Sequence, residues 1–263
     1  MKLKIKMGID FLMTVLLLCL MAYQITGQEL HEWFGAGMLV LFLLHNILNI
    51  RWYGSLFKGK YTLLRVMQLI INISVLMLCL GFSGIVLSRH VFAGLPIHGP
   101  MATARTLHLA ASYWGFVLMS IHLGVHWSMV LGMFRRLWSR KKTPAAFVWL
   151  MCFIAIFIAG YGAYCFHKEN ILSYMFLKQE FVFFDFEQSA VSVFAGYITM
   201  MGLWVFIGFY TVKGLRKITS QSRALFGLWA RCRRPVWSIW NRRRLRMRSP
   251  GGRSLSKETV WMS

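Results

Sequence analysis

The chain has 263 residues, of which 57% are hydrophobic and only 14% are charged, far from the balance of soluble globular domains. Its net charge of +22 fits either a nucleic-acid binder or a membrane protein with its basic residues gathered on one side. Long apolar runs separated by clusters of charge argue against a soluble enzyme. They favour an all-α membrane protein.

Six apolar stretches follow one another along the chain, each close to the roughly 20 residues that a helix needs to cross a bilayer. They lie at about residues 8–27, 31–50, 66–87, 106–131, 145–164 and 190–212. We therefore predict six transmembrane helices. A cleaved signal peptide is the less favoured interpretation of the first stretch, because the apolar run continues to Gly27 without a small-x-small cleavage pattern. Asp10, near the start of this stretch, is expected to be solvated and to have no functional role.

Basic residues between the stretches are concentrated on one side of the predicted membrane. Four of them fall on the other side, namely Arg89, Arg105, Lys168 and Lys178. The remaining 26 of the 30 Lys and Arg residues then share one face, so the positive-inside rule places both termini in the cytoplasm. The arginine-rich tail is interleaved with tryptophans, a pattern typical of contact with anionic lipid headgroups rather than with nucleic acid.

The order of the stretches predicts three parts of the chain. Residues 1–135 hold the first four helices, arranged as two successive hairpins in one bundle. Residues 136–213 hold two further helices joined by an outer loop, and residues 214–263 form a basic cytoplasmic tail. The outer loop, at about residues 166–188, is aromatic and acidic and is our favoured docking surface for a partner.

Two histidine pairs with the same spacing lie in the second and fourth stretches. His31 and His45 are 14 residues apart, as are His108 and His122. Such a segment of α-helix advances about 21 Å and returns to within about 40° of its starting direction, so each pair lines one face of its helix. Both helices are expected to run from outside to inside. His31 should then lie beside His108 at the outer level, and His45 beside His122 at the inner level.

Matched imidazoles at two depths are typical of axial ligation of haem iron. An imidazole inside a membrane span is costly and usually has a functional partner, and two imidazoles fill both axial positions of one haem. We therefore predict that His31 and His108 bind an outer haem iron, and that His45 and His122 bind an inner one. The sequence has no C-x-x-C-H motif for covalent attachment, so we expect two haems per chain that are bound non-covalently.

Other residues near these pairs have open interpretations. His126 follows His122 by one helical turn and is an alternative inner ligand, a hydrogen-bond donor to a ligand, or half of a metal-chelating pair. Several glycines would either give a porphyrin room or allow close helix packing: Gly35, Gly37, Gly81, Gly84, Gly115 and Gly124.

Arg105 precedes His108 by one helical turn and is a candidate contact for haem propionates. Topology-setting charge explains Arg105 equally well. The same two interpretations apply to Arg51, Arg65 and Arg89. Outer loops hold the remaining histidines, for which we assign no ligand role: His90, His98 and His167.

The sequence around the four histidines resembles the flavinylation-associated cytochrome domain family, a bacterial membrane family once described as a domain of unknown function. The resemblance covers about residues 7–130 and is carried by His31-Glu32-Trp33, Leu44-His45-Asn46, residues 107–111 and residues 121–127. The chain is more distantly similar to cytochrome b and to b-type subunits of formate dehydrogenases. The resemblance implies b-type haem, a bacterial cytoplasmic membrane, and a partner that often carries covalently attached flavin. The last two helices and the basic tail depart from the minimal family pattern.

Two function classes follow from these observations. The leading hypothesis is a di-haem membrane cytochrome that transfers electrons to or from an extracytoplasmic flavoprotein or other redox protein, with a membrane quinone as a further candidate partner. We expect an electron-transfer subunit rather than a stand-alone enzyme. The alternative is a haem-free transporter in which the histidines relay protons or bind a metal. It is disfavoured because none of the eight acidic residues is expected deep within a span.

Overall fold

The computed structural model describes residues 2–56, 58, 61–77, 84–94, 99–137 and 144–232. Within these ranges the chain is helical and contains no β-strand. The helices are α1 (Lys2–Met21), α2 (Tyr23–Leu48), α3 (Ile50–Ser55), α4 (Leu63–Met77), α5 (Gly84–Leu87), α6 (Met101–Leu137), α7 (Ala145–Lys168), α8 (Ile171–Met175) and α9 (Ala190–Cys232). Backbone proximity separates the described chain into two units at Leu215. The candidate site and the surfaces discussed below lie in the first unit.

Four helices of the described chain are long and apolar enough to cross a membrane. They are Tyr23–Leu48, Met101–Met133, Ala145–Lys168 and Ala190–Ser222. Large apolar side chains also cover their outer surfaces; Phe153 and Phe157 of α7, for example, are each 70% exposed. Such a surface is unfavourable in water and favourable against lipid tails. The prediction of an all-α membrane protein is confirmed.

The predicted count of six spans is not reproduced by the described residues. Helix α1 ends at Met21, and its first half contains Lys2, Lys4, Lys6 and Asp10, so it lacks an uncharged stretch of spanning length. Helix α4 has only 15 residues, and residues 78–83, which the sequence analysis assigned to the same span, lie outside the described chain. The apolar runs at these positions were read from composition alone, which does not show where a helix stops.

The first two helices form an antiparallel hairpin. A turn at Ala22 ends α1, and α1 packs along α2. Gly27 then interrupts α2 with φ +67° and ψ 178°, a conformation that is essentially restricted to glycine. The regular part of α2, which carries His31 and His45, therefore begins after Gly27.

Helix α6 is the central element of the first unit. Helices α4 and α5 pack against it, as does α8. A Cβ on Gly124 of α6 would collide with the Val205 carbonyl oxygen of α9, and a Cβ on Gly162 of α7 would collide with the Thr199 carbonyl oxygen of α9. Close backbone packing thus joins α6, α7 and α9, as small residues allow in membranes.

Candidate functional site

The structure brings the four predicted histidines together as two pairs. The ring centroids of His31 and His108 are 6.0 Å apart with an interplanar angle of 83°. Those of His45 and His122 are 6.5 Å apart with an angle of 77°. Because the earlier histidine of α2 meets the earlier histidine of α6, the two helices run in the same direction, as the spacing predicted.

The separation of the rings bears on what each pair can hold. A ring nitrogen lies about 2 Å from a transition metal that it binds, and the ring centre is about 1 Å further away, so two axial imidazoles have centroids about 6 Å apart. Both observed distances agree with this value. Aromatic rings in direct contact occupy the same range, so the partners of each ring nitrogen have to be considered as well.

Both inner histidines have their Nδ1 atoms fixed by an oxygen from a neighbouring helix. His45 Nδ1 lies 2.7 Å from Asp10 Oδ1 of α1, and His122 Nδ1 lies 2.8 Å from Asn72 Oδ1 of α4. A carboxylate and an amide oxygen only accept hydrogen bonds, so each Nδ1 is the donor, and the tautomer in which Nε2 carries the lone pair is the one that can bind a metal. Metal-binding histidines are usually oriented by such a bond.

This arrangement corrects the expectation for Asp10, to which the sequence analysis gave no functional role. Its side chain is 51% exposed, so it is solvated as expected, but its carboxylate also holds the His45 ring. The hairpin of α1 and α2 places position 10 beside position 45. This register depends on the turn at Ala22 and on the interruption at Gly27, which the apolar pattern does not indicate. Asn72 was also missed, and no pattern in the sequence distinguishes it from a helix-packing asparagine.

Asn49 completes the polar surroundings of His45. Its Nδ2 donates to the His45 carbonyl oxygen at 2.8 Å and lies 3.4 Å from His45 Nε2, at the long limit for a hydrogen bond. Its Oδ1 accepts a hydrogen bond of 2.8 Å from Lys6 Nζ. The short bond to the backbone fixes the amide, whereas the contact with Nε2 is weak enough for another partner to replace it.

The outer pair is surrounded differently. His31 Nδ1 is buried and has no hydrogen-bond partner among the described residues, which is unusual for a polar atom withdrawn from water. Tyr23 contacts the His31 ring edge-on, with centroids 5.1 Å apart. Gly84 of α5 lies directly against His108, because a Cβ at this position would be 2.9 Å from His108 Cε1. A larger residue at position 84 would push the His108 ring out of its place.

Glu32, the residue after His31, binds the loop that follows α5. Its carboxylate accepts hydrogen bonds from Ser88 Oγ at 2.6 Å and from the backbone N–H of His90 at 2.8 Å, with further donors at Arg89 and Val91. Only 9% of the Glu32 side chain is exposed. These bonds compensate the burial of the charge and hold the outer loop against α2.

Two of the glycines with two interpretations, Gly115 and Gly124, have different surroundings. Gly115 lies midway between His108 and His122 on the same face of α6, and a Cβ there would meet nothing within 4 Å. The face between the two histidine levels is therefore open at this point. Gly124, by contrast, serves close packing against α9, and Gly81 lies outside the described residues.

The remaining candidate residues are placed as follows. The His126 ring contacts His122, with centroids 4.9 Å apart, which keeps all three of its interpretations open. Arg105 and Arg89 are exposed near the outer pair. His90 Nδ1 lies 3.2 Å from Glu32 Oε1, His167 is exposed, and His98 lies outside the described residues.

Two observations bear on the class of site. Among the described residues, no group of three or more His, Cys, Asp or Glu side chains could hold a metal ion. A haem needs only two protein ligands, since the macrocycle supplies the other four; an isolated metal ion bound by protein side chains usually needs three or four. The chain matches no model of a known protein family, and no curated protein or solved structure is significantly similar to it.

Proposed function

We propose that this protein is a membrane cytochrome that holds two b-type haems and transfers electrons across the bilayer to or from an extracytoplasmic redox partner. The observation that carries the proposal is the repeated pairing of histidines across α2 and α6, at 6.0 and 6.5 Å between ring centroids. His31 and His108 would hold the outer haem, and His45 and His122 the inner one.

Each residue around the pairs has a defined part in this proposal. Asp10 and Asn72 accept hydrogen bonds from the Nδ1–H groups of the inner histidines, which would leave both Nε2 atoms to bind the iron. Gly84 gives the His108 ring its position, and Glu32 fixes the loop that covers the outer level. Haem held by these histidines would supply a one-electron iron couple suited to electron transfer.

The proposal includes two membrane segments in addition to the four spans found. We propose that α1 and α4 with α5 complete a four-helix bundle around α2 and α6, giving six membrane segments in total. Both termini would face the cytoplasm of a bacterial cytoplasmic membrane, in accordance with the positive-inside rule. The partner is proposed to be a flavoprotein or another soluble redox protein outside the membrane, with a membrane quinone as a second candidate.

Substitution of individual histidines tests this function. Purified H31A and H108A should each lose one of two haems, and H45A and H122A should each lose the other, as measured by pyridine haemochrome absorbance per chain. H167A is the matched control, because His167 is exposed and lies on α7, a helix that carries neither pair. Unchanged haem content in all four variants would contradict the assignment. A colourless protein that binds a divalent metal would favour the transporter alternative.

A further inference from the structure

An exposed aromatic surface lies on the outer loop between α8 and α9. We name it the outer aromatic patch and define it by Phe181, Phe183 and Phe186, which are 60%, 80% and 76% exposed. Phenylalanines rarely stay this exposed in water without a partner. The patch must therefore be covered either by lipid or by another protein.

The patch is held in place by the structure beneath it. The Phe183 backbone N–H donates to Tyr174 Oη at 3.4 Å, and the Lys178 N–H donates to the Ser173 carbonyl oxygen at 2.8 Å. Trp114 Nε1 of α6 donates to the Met175 carbonyl oxygen at 2.9 Å, which fastens α8 to the central helix. The loop that carries the exposed rings is thus bonded to α8, and α8 is bonded to α6, the helix that carries His108.

A series of ring contacts joins the patch to the outer histidine pair. Phe186 contacts Phe184 with centroids 6.1 Å apart, and Phe184 stacks on Tyr23 at 5.4 Å. Tyr23 in turn contacts His31 at 5.1 Å. A partner seated on the patch would be separated from the outer pair by only these consecutive rings.

Charge distinguishes between lipid and protein as the covering partner. The patch is interleaved with three exposed acidic residues, Glu180, Asp185 and Glu187, and with one exposed basic residue, Lys178. This local excess of negative charge is opposite in sign to the chain as a whole, which carries +22. Anionic headgroups would repel it, whereas a basic protein surface would be attracted.

We propose that the outer aromatic patch is the docking surface for a soluble redox protein that exposes its cofactor edge within a basic rim. The proposal rests on the proposed function, since it names where and by which chemistry the extracytoplasmic partner meets the cytochrome. One electron leaves the reduced protein and reduces the oxidised carrier in each productive encounter. The phenylalanines provide apolar contact area, and the acidic residues steer the approach.

Stopped-flow kinetics with the full chain in nanodiscs tests the electrostatic part. Chemically reduced protein is mixed with an oxidised basic c-type cytochrome as the probe, and in parallel with an oxidised acidic c-type cytochrome of similar reduction potential. At low ionic strength the basic carrier should react faster, and the double variant D185N/E187Q should lower its second-order rate about 10-fold. E29Q is the control, because it removes an exposed acid from α2 and not from the loop that carries the patch, and its rate should stay near that of the wild type.

The apolar part is tested with F183A and F186A, singly and together. The double variant should also lower the rate about 10-fold, whereas F153A/F157A, which removes two equally exposed rings from α7, should not. Unchanged rates in the patch variants, with haem content intact, would overturn docking at this surface and leave the rings to the lipid interface. A haem-free wild type would overturn the proposed function together with this inference, so the two failures are distinguishable.

Discussion

The carboxylate of Asp10 lies 2.7 Å from Nδ1 of His45, so the start of the first helix directly orients a ring near the end of the second. The same relationship recurs between Asn72 and His122, with an amide in place of the carboxylate. The two inner imidazoles thus differ in their electrostatic surroundings although their geometry is alike. A negatively charged acceptor makes its imidazole a stronger electron donor than a neutral one does.

We expect the variants D10N and D10L to separate the effect of the Asp10 charge from the effect of its hydrogen bond with His45. The amide in D10N still accepts a bond from His45 but lacks the negative charge, so the midpoint potential of the inner haem should rise while its occupancy is retained. D10L removes the acceptor and should lower the affinity for the inner haem about 10-fold to 100-fold. Redox titration and haem quantitation measure the two effects. D185N is the control, and an unaltered potential in D10N would contradict the role given to Asp10.

A side chain at position 84 should displace the His108 ring. In G84V, Cβ would fall within 3.0 Å of both Cε1 and Nδ1 of His108, which requires the ring to move. The expected result is loss or disturbance of the outer low-spin haem signal in electron paramagnetic resonance, with the inner signal preserved. G94V is the control in the same outer region, because a Cβ there meets nothing within 4 Å. Equal spectra for the two variants would refute this account of Gly84.

The α7–α9 contact offers a matched pair of glycines on one helix. A Cβ on Gly162 would strike the Thr199 carbonyl, whereas a Cβ on Gly160 meets nothing within 4 Å. G162V should therefore destabilise the protein by about 1–3 kcal/mol through overpacking, and G160V should have little effect. Each variant is heated in detergent, and size-exclusion chromatography measures the fraction that remains folded at each temperature. The transition temperatures of the two variants are then compared. Equal transition temperatures would show that this packing contributes no stability.

Glu32 should control the order of the loop beside the outer pair. E32A removes the acceptor of the His90 and Val91 N–H groups. The first is exposed and the second half-buried, so water replaces part of the bonding and each lost bond should cost about 0.5–1.5 kcal/mol. We expect faster limited proteolysis near residues 88–94 in this variant. E29A is the matched control, because Glu29 is an exposed acid three residues earlier on α2. Cleavage at equal rates in both variants would contradict the fastening role.

The sequence predicted the helical class and the pairing of the histidines because both depend on periodicity. A spacing of 14 residues decides which side of a helix each ring occupies, whatever the surroundings. The count of spans was less predictable, because the first apolar run continues through the turn at Ala22 that ends α1. The helix contacts of Gly124 could not be assigned either, because they require the partner helix α9 to be known.

The polar partners of the rings depend on tertiary structure and were mostly missed. Asp10 is near the end of a predicted span, where a solvated role is the ordinary expectation, and only the hairpin register relates it to His45. The bonds from Glu32 to Ser88 and His90 join residues more than 50 positions apart. Such contacts leave no periodic trace in a single sequence.

The central claim is tested most directly by the reduced-minus-oxidised absorption spectrum of the purified wild-type protein, with pyridine haemochrome quantitation of the same sample. The account predicts low-spin bis-histidine b-type bands and two haems per chain. A protein purified from haem-replete cells that lacks these bands, or whose haem is high-spin with an open axial position, would contradict it.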